Sequence, residues 1–534
     1  MNLLVDRWLP VVRRDGTREK VAICDLLDEH PTNPIVDVEA PRADFRNAIY
    51  QLLIGIVQVA AAPEDEEDWY DLWKEPYTSE SFREKVLIYE DCFEIDSDGP
   101  AFMQDFDSDQ LLSKEHVNVF RLLLGTPGEN TVKLNRDLFV KELPTFQLDA
   151  YWAAIALFLS QQVAGPPDGG GHREGLRGSG ALTTLVLPIQ ESSDTSLWQV
   201  VWTNIFPQEE TMSWNGNSEK AIFPWMTSTI SSTGNKVAGF DVFHPLCVYW
   251  GMPWRVRFVL PALQGVCQTT GSESRQVIRQ HCRLKHGNMY SNLWRHPFTP
   301  YKDKITDEDL EKNKKPSMRA DSDRFLYTNW AALCLGNDKF QISRILSYHE
   351  GKRRYLRSVE NLSFRLWASG FHMVPGEATV KNWNEAFFPL LYIAPEDSEY
   401  VEQRVEVFIT QASNLAFALL SAVQEAWFTR PKDIKKPKDK LSFLTTSFWQ
   451  NTEPDFYELL DRMVKNLDSP EVLADCAKQW RKCITREAYD LFDKSALTQQ
   501  EDGLDMRRVV AARGSLEKQV GKAYRELNNL IEIE

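Results

Sequence analysis

Residues 151–187 read YWAAIALFLSQQVAGPPDGGGHREGLRGSGALTTLVL, and three textures follow one another in them. Residues 151–163 are apolar on nearly every face, the mark of a buried helix. Residues 181–187 are a short apolar and β-branched run, the mark of a strand. Between them, residues 165–180 hold seven glycines, two prolines and two arginines. Ordering such a loop carries a high entropic cost, and glycine's missing Cβ lets backbone N–H groups approach another surface closely. A glycine loop clamped between helix and strand, with Arg173 and Arg177 inside it, reads as a site for a polyanion. The plainer reading is a long connection. A nucleotide-binding loop is disfavoured, because no GxxxxGK[ST] or GxGxxG opens a helix here.

Outward from this stretch, helices and strands mix. On the N-terminal side, residues 2–12 and 21–23 read as strands joined by the turn Arg14-Asp15-Gly16. Residues 41–62 carry Phe45, Ile49, Leu52 and Ile56 at helical spacing, and 79–87 suggest a further helix. Asp96, Asp98 and Gly99, and then Asp105, Asp107 and Asp109, evoke calcium loops but lack the complete spacing and read as turns. On the C-terminal side, residues 197–202 and 254–260 look β-rich, and NLWRHPFTPYK (292–302) interleaves aromatics with cations, a mixture suited to gripping a backbone and stacking on bases.

Beyond about residue 395 the texture is helical. Val405, Phe408, Leu415, Leu419 and Val423 mark one amphipathic helix, and 443–467 a second, with Pro454 a candidate break. Ser469 and Pro470 form an N-cap and N1 pair opening a third. Leu516, Val520, Tyr524, Leu527 and Ile531 mark the last. The expected fold is therefore α+β: a large mixed α/β N-terminal domain over 1–394, then an antiparallel four-helix bundle over 395–534.

Composition narrows the function. The chain has 534 residues and a net charge of −16, which argues against a protein that coats nucleic acid unaided. Basic residues nonetheless gather at 275–304, 312–319, 352–357 (KRRYLR) and 430–440, a pattern suited to a subunit that touches nucleic acid locally and is positioned by other proteins. No apolar run reaches the roughly 18 residues needed to span a bilayer. With no signal-peptide pattern at residues 1–16, a cytoplasmic protein is expected. The eight cysteines form no CxxC pair, and Cys267, His281, Cys282 and His286 fit no common zinc spacing, so reduced thiols without metal or cofactor are expected. No HExxH or GxSxG motif is present, and a binding role is expected over an enzymatic one.

Several stretches carry a family resemblance. NLLVDRWLPV (2–11), GPAFMQ (99–104), AAIALF (153–158), GGGHREGLRG (169–178), LWRHP (293–297) and the C-terminal bundle occur in the same order as in the CasA family, which the chain resembles along its whole length. Members are large subunits of the type I-E CRISPR Cascade complex. The resemblance implies a non-catalytic module partnered by the other Cascade subunits and crRNA. It would read the protospacer-adjacent motif (PAM) of double-stranded target DNA from the minor groove, help begin strand separation, and recruit the helicase–nuclease.

Carried over residue by residue, the family's glycine loop falls on Asp168, Gly169, Gly170 and Gly171, and its lysine finger on Lys285. Its glutamine-tipped wedge falls within GFHMVPGEA (370–378), where the nearest matches to the glutamine are Glu377 or Pro375; Val374, Pro375 and Gly376 would make a stiff tip acting by shape. The family's flexible crRNA-facing loop maps to 129–147, with Phe139, Val140 and Lys141 at its centre. Of the family's cysteine cluster only Cys267 is matched. A second hypothesis, of a different class, is a stand-alone enzyme using the glycine loop as a phosphate cradle.

Overall fold

A helix that is apolar on all faces has to be buried on all faces, and two such helices lie at the heart of the larger part of the molecule. α1 (Ala43–Ala60) is buried without a break from Asn47 through Gln58. The shorter α2 (Glu66–Lys74) and α3 (Ser79–Leu87) follow it, both capped by a side-chain oxygen, of Asp65 and Thr78 respectively. α4 (Ala150–Val163), packed against α1, is buried everywhere except at Tyr151. The computed structural model describes the chain except residues 108–110, 128, 139, 164–171, 191–194, 211–220, 261–262, 321–324, 338, 374–379, 430–436, 498–504 and 532–534, and except the side chains at 129–130, 437–440 and 523–531.

The chain divides into two compact units, one made of Met1–Phe325 with Gly336–Phe388, the other of Leu326–Leu335 with Pro389–Glu534. Small sheets surround the helices of the first. β1 (Leu9–Arg13) lies between β2 (Arg18–Val21) and β3 (Ile35–Val38), antiparallel to both. β4 (His116–Asn118), β7 (Arg255–Phe258) and β10 (Gln280–Leu284) form a second sheet in the order β4-β10-β7, and β5 (Leu148–Asp149), β8 (Leu263–Val266) and β9 (Glu273–Ile278) a third in the order β5-β9-β8. β6 (Thr183–Ile189), β13 (Ser363–Met373) and β14 (Val380–Pro389) give the order β14-β13-β6, and β11 (Tyr301–Lys302) pairs with β12 (Phe340–Gln341). The glycine-rich stretch thus runs from α4 to β6, as its flanks predict.

Four expectations need correction. Residues 2–6 form a turn rather than a strand, because Asn2 Oδ1 accepts from Leu4 N–H and Asp6 Oδ2 from Asn2 N–H, so short polar side chains capture the backbone that a ladder would need. The run expected as β-rich at 197–202 is a helix, α5 (Leu197–Trp202), opened by a capping box of Ser196 and Gln199. Its Trp198 and Trp202 stack 5.1 Å apart in the core, so the aromatic richness reflects packing rather than strand preference. Asp105 and Asp107 are no simple turn residues: Asp105 is fully buried, and both carboxylates are held by Arg255. Pro454 does not break its helix, as described next.

The second unit carries four long helices: α7 (Ser398–Trp427), α8 (Pro437–Val464), α9 (Pro470–Ala496) and α10 (Met506–Ile531), numbered past α6 (Glu350–Glu360) of the first unit. They pack as a bundle, most extensively α7 on α10 and α9, and α8 on α9. α8 runs through Pro454 uninterrupted. The proline removes only one N–H from the ladder, while Phe448, Phe456 and Leu460 bury the helix on both sides of it. Ser469 Oγ accepts from Val472 N–H and Pro470 stands at N1, the expected opening of α9. α7 is the one helix among the described residues long and apolar enough to cross a bilayer; its Val405, Leu415, Leu419 and Val423 are buried within the unit.

The first ten residues of this unit, Leu326–Leu335, come from far upstream in the sequence. Tyr327 stacks on Phe456 with centroids 4.4 Å apart, meets Trp449 edge-on at 5.3 Å, and shares a hydrogen bond with Thr452 Oγ1 (3.0 Å). A single cut at 394/395 therefore does not describe the compact units, because an aromatic segment lying earlier in the chain completes the helical core.

Candidate nucleic-acid interface

The two ends of the glycine-rich stretch are tied together: Gly180 N–H donates to the Val163 carbonyl (2.8 Å), where α4 stops. Val163 and Gly180 are thus held together at the base of the stretch. Asp168, Gly169, Gly170 and Gly171 lie outside the described residues. Its returning half is tightly seated. A Cβ on Gly175 would stand 2.9 Å from the Gln162 carbonyl oxygen, and Gly178, at φ +89°, would press a Cβ to 2.9 Å from Lys315. Beyond it comes β6, so no helix N-terminus follows the loop to cradle a phosphate.

The two arginines of this half have separate fates. Arg177 has no exposed surface at all. Its Nε donates to Thr299 Oγ1 (2.9 Å), Nη1 to Gln51 Oε1 (2.7 Å), and Nη2 to both the Leu182 carbonyl (3.1 Å) and Thr183 Oγ1 (2.7 Å). Burial pulls its pKa down to about 10. Arg177 remains a cation at neutral pH, but it binds the loop's base to α1, β6 and the 292–302 segment instead of facing a polyanion, which corrects the sequence reading. Arg173 is half-buried and reaches sideways, Nε to Ser232 Oγ (2.8 Å) and Nη2 to the Ser232 carbonyl (3.0 Å).

Through Ser232 the loop meets the second predicted element. Ser232 N–H donates to the His286 carbonyl (3.3 Å), the residue next to Lys285. Lys285 follows β10, is exposed, and has no ion-pair partner among the described residues. The turn that presents it is held by the backbone: His286 sits at φ +62°, and Gly287 packs so tightly that a Cβ would lie 2.0 Å from the Pro253 carbonyl oxygen. Gly287→Ala should accordingly cost about 1–3 kcal/mol, the usual range for forcing extra volume into a packed site. A melting temperature equal to wild type would show that the turn yields freely.

On the other side of the loop's exit, Glu174 lines a cleft of about 340 Å³ with Lys302, Lys314, Lys315, Arg319 and Asp309. Four cations against two carboxylates leave it positive. Lys315 is half-buried, donates to the Tyr290 carbonyl (2.5 Å), and has its pKa drawn down to about 8 by desolvation of its ammonium. Lys314 is held by Glu308 (3.5 Å) and Asp309 (3.6 Å). Sequence reading missed this cleft. Its only signal was two basic clusters, at 275–304 and 312–319, whose meeting depends on the fold.

Other predicted residues are dispersed. Pro375, Gly376 and Glu377 fall in the undescribed connection between the hydrogen-bonded neighbours β13 and β14. The cluster KRRYLR is split: Lys352 is 3 % exposed, stands 4.4 Å from the Tyr348 ring centroid and pairs with Glu66 (2.9 Å), whereas Arg354 is exposed. In the segment 129–147, Phe139 lies outside the described residues, Val140 is exposed, and Lys141 pairs with Asp137 at 3.2 Å. Leu134, Leu138 and Leu143 expose more than half their surface in the same segment, an apolar display that the sequence reading did not single out. His281 and Cys282 lie within β10 and Cys267 sits against Thr269. Among the described residues, no group of three or more His, Cys, Asp or Glu is arranged to hold a metal.

The chain is similar to known proteins over nearly its whole length. A profile of the family described as CRISPR-associated protein Cse1 matches residues 2–491. CasA from Thermus thermophilus shares 16 % identity, with 98 % of this chain and 99 % of that one superposed at a TM-score of 0.67. Cse1 from Acidimicrobium ferrooxidans gives 16 % identity, 98 % of each chain and a TM-score of 0.67. A chain of a CRISPR RNA-guided surveillance complex gives 16 % identity, 98 % of this chain and 99 % of that one, and a TM-score of 0.59.

Proposed function

This chain belongs to the CRISPR-associated Cse1 family, and from that premise we propose that it is the non-catalytic large subunit of a crRNA-guided Cascade surveillance complex that reads the PAM of double-stranded target DNA. The observation that carries the reading is a convergence. The exit of the glycine-rich loop stands between the exposed Lys285 turn, reached through Arg173 and Ser232, and the positive cleft entered past Glu174. A glycine loop and one lysine without an ion-pair partner among the described residues suit close approach to a narrow groove, where the pattern of base edges is degenerate and several PAM sequences are tolerated. The neighbouring cations suit the phosphates that flank it.

In this reading Asp168 to Gly171 supply the backbone surface, Lys285 the groove contact, and the β13–β14 connection with Pro375, Gly376 and Glu377 the wedge that opens the duplex beside the PAM. Val140 and Lys141 belong to a segment that meets crRNA. Other Cascade subunits hold the acidic chain on its nucleic acid, the helicase–nuclease is recruited afterwards, and all of this takes place in the cytoplasm.

Lys285→Ala should cost about 1–3 kcal/mol of duplex binding in the assembled complex, the usual worth of one base-edge contact, and should relax the preference among PAM sequences. Equal losses on every sequence would make Lys285 a phosphate contact. Unchanged binding would place the groove contact elsewhere. ATP binding or turnover by the isolated chain would favour the enzyme reading instead.

A further inference from the structure

The face of the β14-β13-β6 sheet is left open at one end, where it borders β3, and there it forms a slot of about 280 Å³. Trp367, 1 % exposed, makes the floor. It meets Tyr50 edge-on at 5.3 Å and stacks with Phe387 at 5.8 Å. Leu187, Ile189 and Val36 line the sides. Phe387 is 42 % exposed, an unusual display for a phenylalanine within a strand.

The polar groups of the slot are nearly all engaged. Asp37 accepts from Arg46 (2.8 and 3.0 Å), from the Tyr50 hydroxyl (3.0 Å) and from Val38 N–H (2.7 Å), so its charge is met and its lone pairs are used. Trp367 Nε1 donates to Glu385 (3.3 Å). Arg365 is the exception: two residues from Trp367 on the same face of β13, it lines the slot, is exposed, and has no hydrogen-bond or ion-pair partner among the described residues.

We propose that this slot is a docking site for another protein subunit of the complex, which inserts one large apolar side chain over Trp367 and Phe387 and places an aspartate or glutamate against Arg365. The inference rests on the reading above that such subunits surround the chain. Apolar walls and an aromatic floor suit a side-chain anchor, and the single unengaged cation at the rim suits a carboxylate. A nucleobase is a poorer occupant, because no free donor or acceptor on the floor remains to satisfy its edge.

The test uses the full chain and a complex reconstituted from purified subunits and crRNA. Arg365→Glu and Phe387→Asp, both at exposed positions, should each weaken binding of the chain to the remaining complex by about tenfold or more, as for an anchor residue and its charge partner. Arg365→Lys should retain most of the affinity. A photo-crosslinking phenylalanine analogue at position 387 should capture a polypeptide. If the wild-type chain joins the complex and both variants join it equally well, the slot is not a docking site, although the subunit reading stands. Crosslinking to crRNA or DNA overturns the proposal in favour of a nucleic-acid contact. A wild-type chain that does not join at all overturns the subunit reading, and the slot falls with it.

Discussion

Arg177→Ala should destabilise the first unit by roughly 3–5 kcal/mol, because buried acceptors left without a donor cost about 1–3 kcal/mol each and the vacated volume adds a cavity term. Gln51 Oε1 on α1, the Leu182 carbonyl, Thr183 Oγ1 and Thr299 Oγ1 all accept from the one guanidinium. Relief of the desolvated charge offsets part of this loss, since burial works against the cation. Arg177→Lys should recover little, as an ammonium cannot reproduce the planar fork that spans four partners. The check is urea denaturation of the full chain, followed by near-ultraviolet circular dichroism. A variant with wild-type stability that instead binds DNA more weakly would return Arg177 to the interface and undo the structural assignment.

Tyr327→Ala should be nearly as damaging to the second unit. The ring is 1 % exposed and stacked on Phe456, with Trp480 edge-on at 6.0 Å. Deleting a buried aromatic of this kind costs about 3–5 kcal/mol, and here the hydrogen bond to Thr452 goes with it. Hydrogen exchange in the full-length variant should show early opening of α8 and α9. A fragment of residues 389–534 should melt lower than the same fragment with residues 326–335 fused to it. Equal melting temperatures would mean that the upstream segment merely leans on a bundle already complete.

Both predictions bear on how far the sequence could be read. The family resemblance puts a lysine finger at Lys285, and Lys285 stands on an exposed turn tied through Ser232 to Arg173. Arg177 was misread for a physical reason: within a glycine-rich loop it has the composition of a phosphate site, and nothing local distinguishes an arginine facing solvent from one anchored by Gln51, more than a hundred positions earlier. Within KRRYLR, likewise, nothing local separates Lys352, covered by Trp69 and Tyr348, from the exposed Arg354.

What the sequence determined by itself is whatever depends on neighbours along the chain. Helical periodicity revealed α1 and the four helices of the bundle, Ser469 and Pro470 marked the start of α9, and the all-apolar α4 followed by glycines and a β-branched run set the mixed α/β character of the first unit. Where local signals competed, packing decided: the tryptophans of 197–202 went to a helix, and Pro454 stayed inside one. Only tertiary structure brought the basic clusters at 302 and 314–319 into one cleft with Glu174, seated Tyr327 in a core formed by residues more than a hundred positions later, and left Arg365, beside Trp367 and Phe387, without an ion-pair partner among the described residues. Those arrangements arise from contacts between distant segments, and their free energy depends on burial and on partners that no local window of sequence contains.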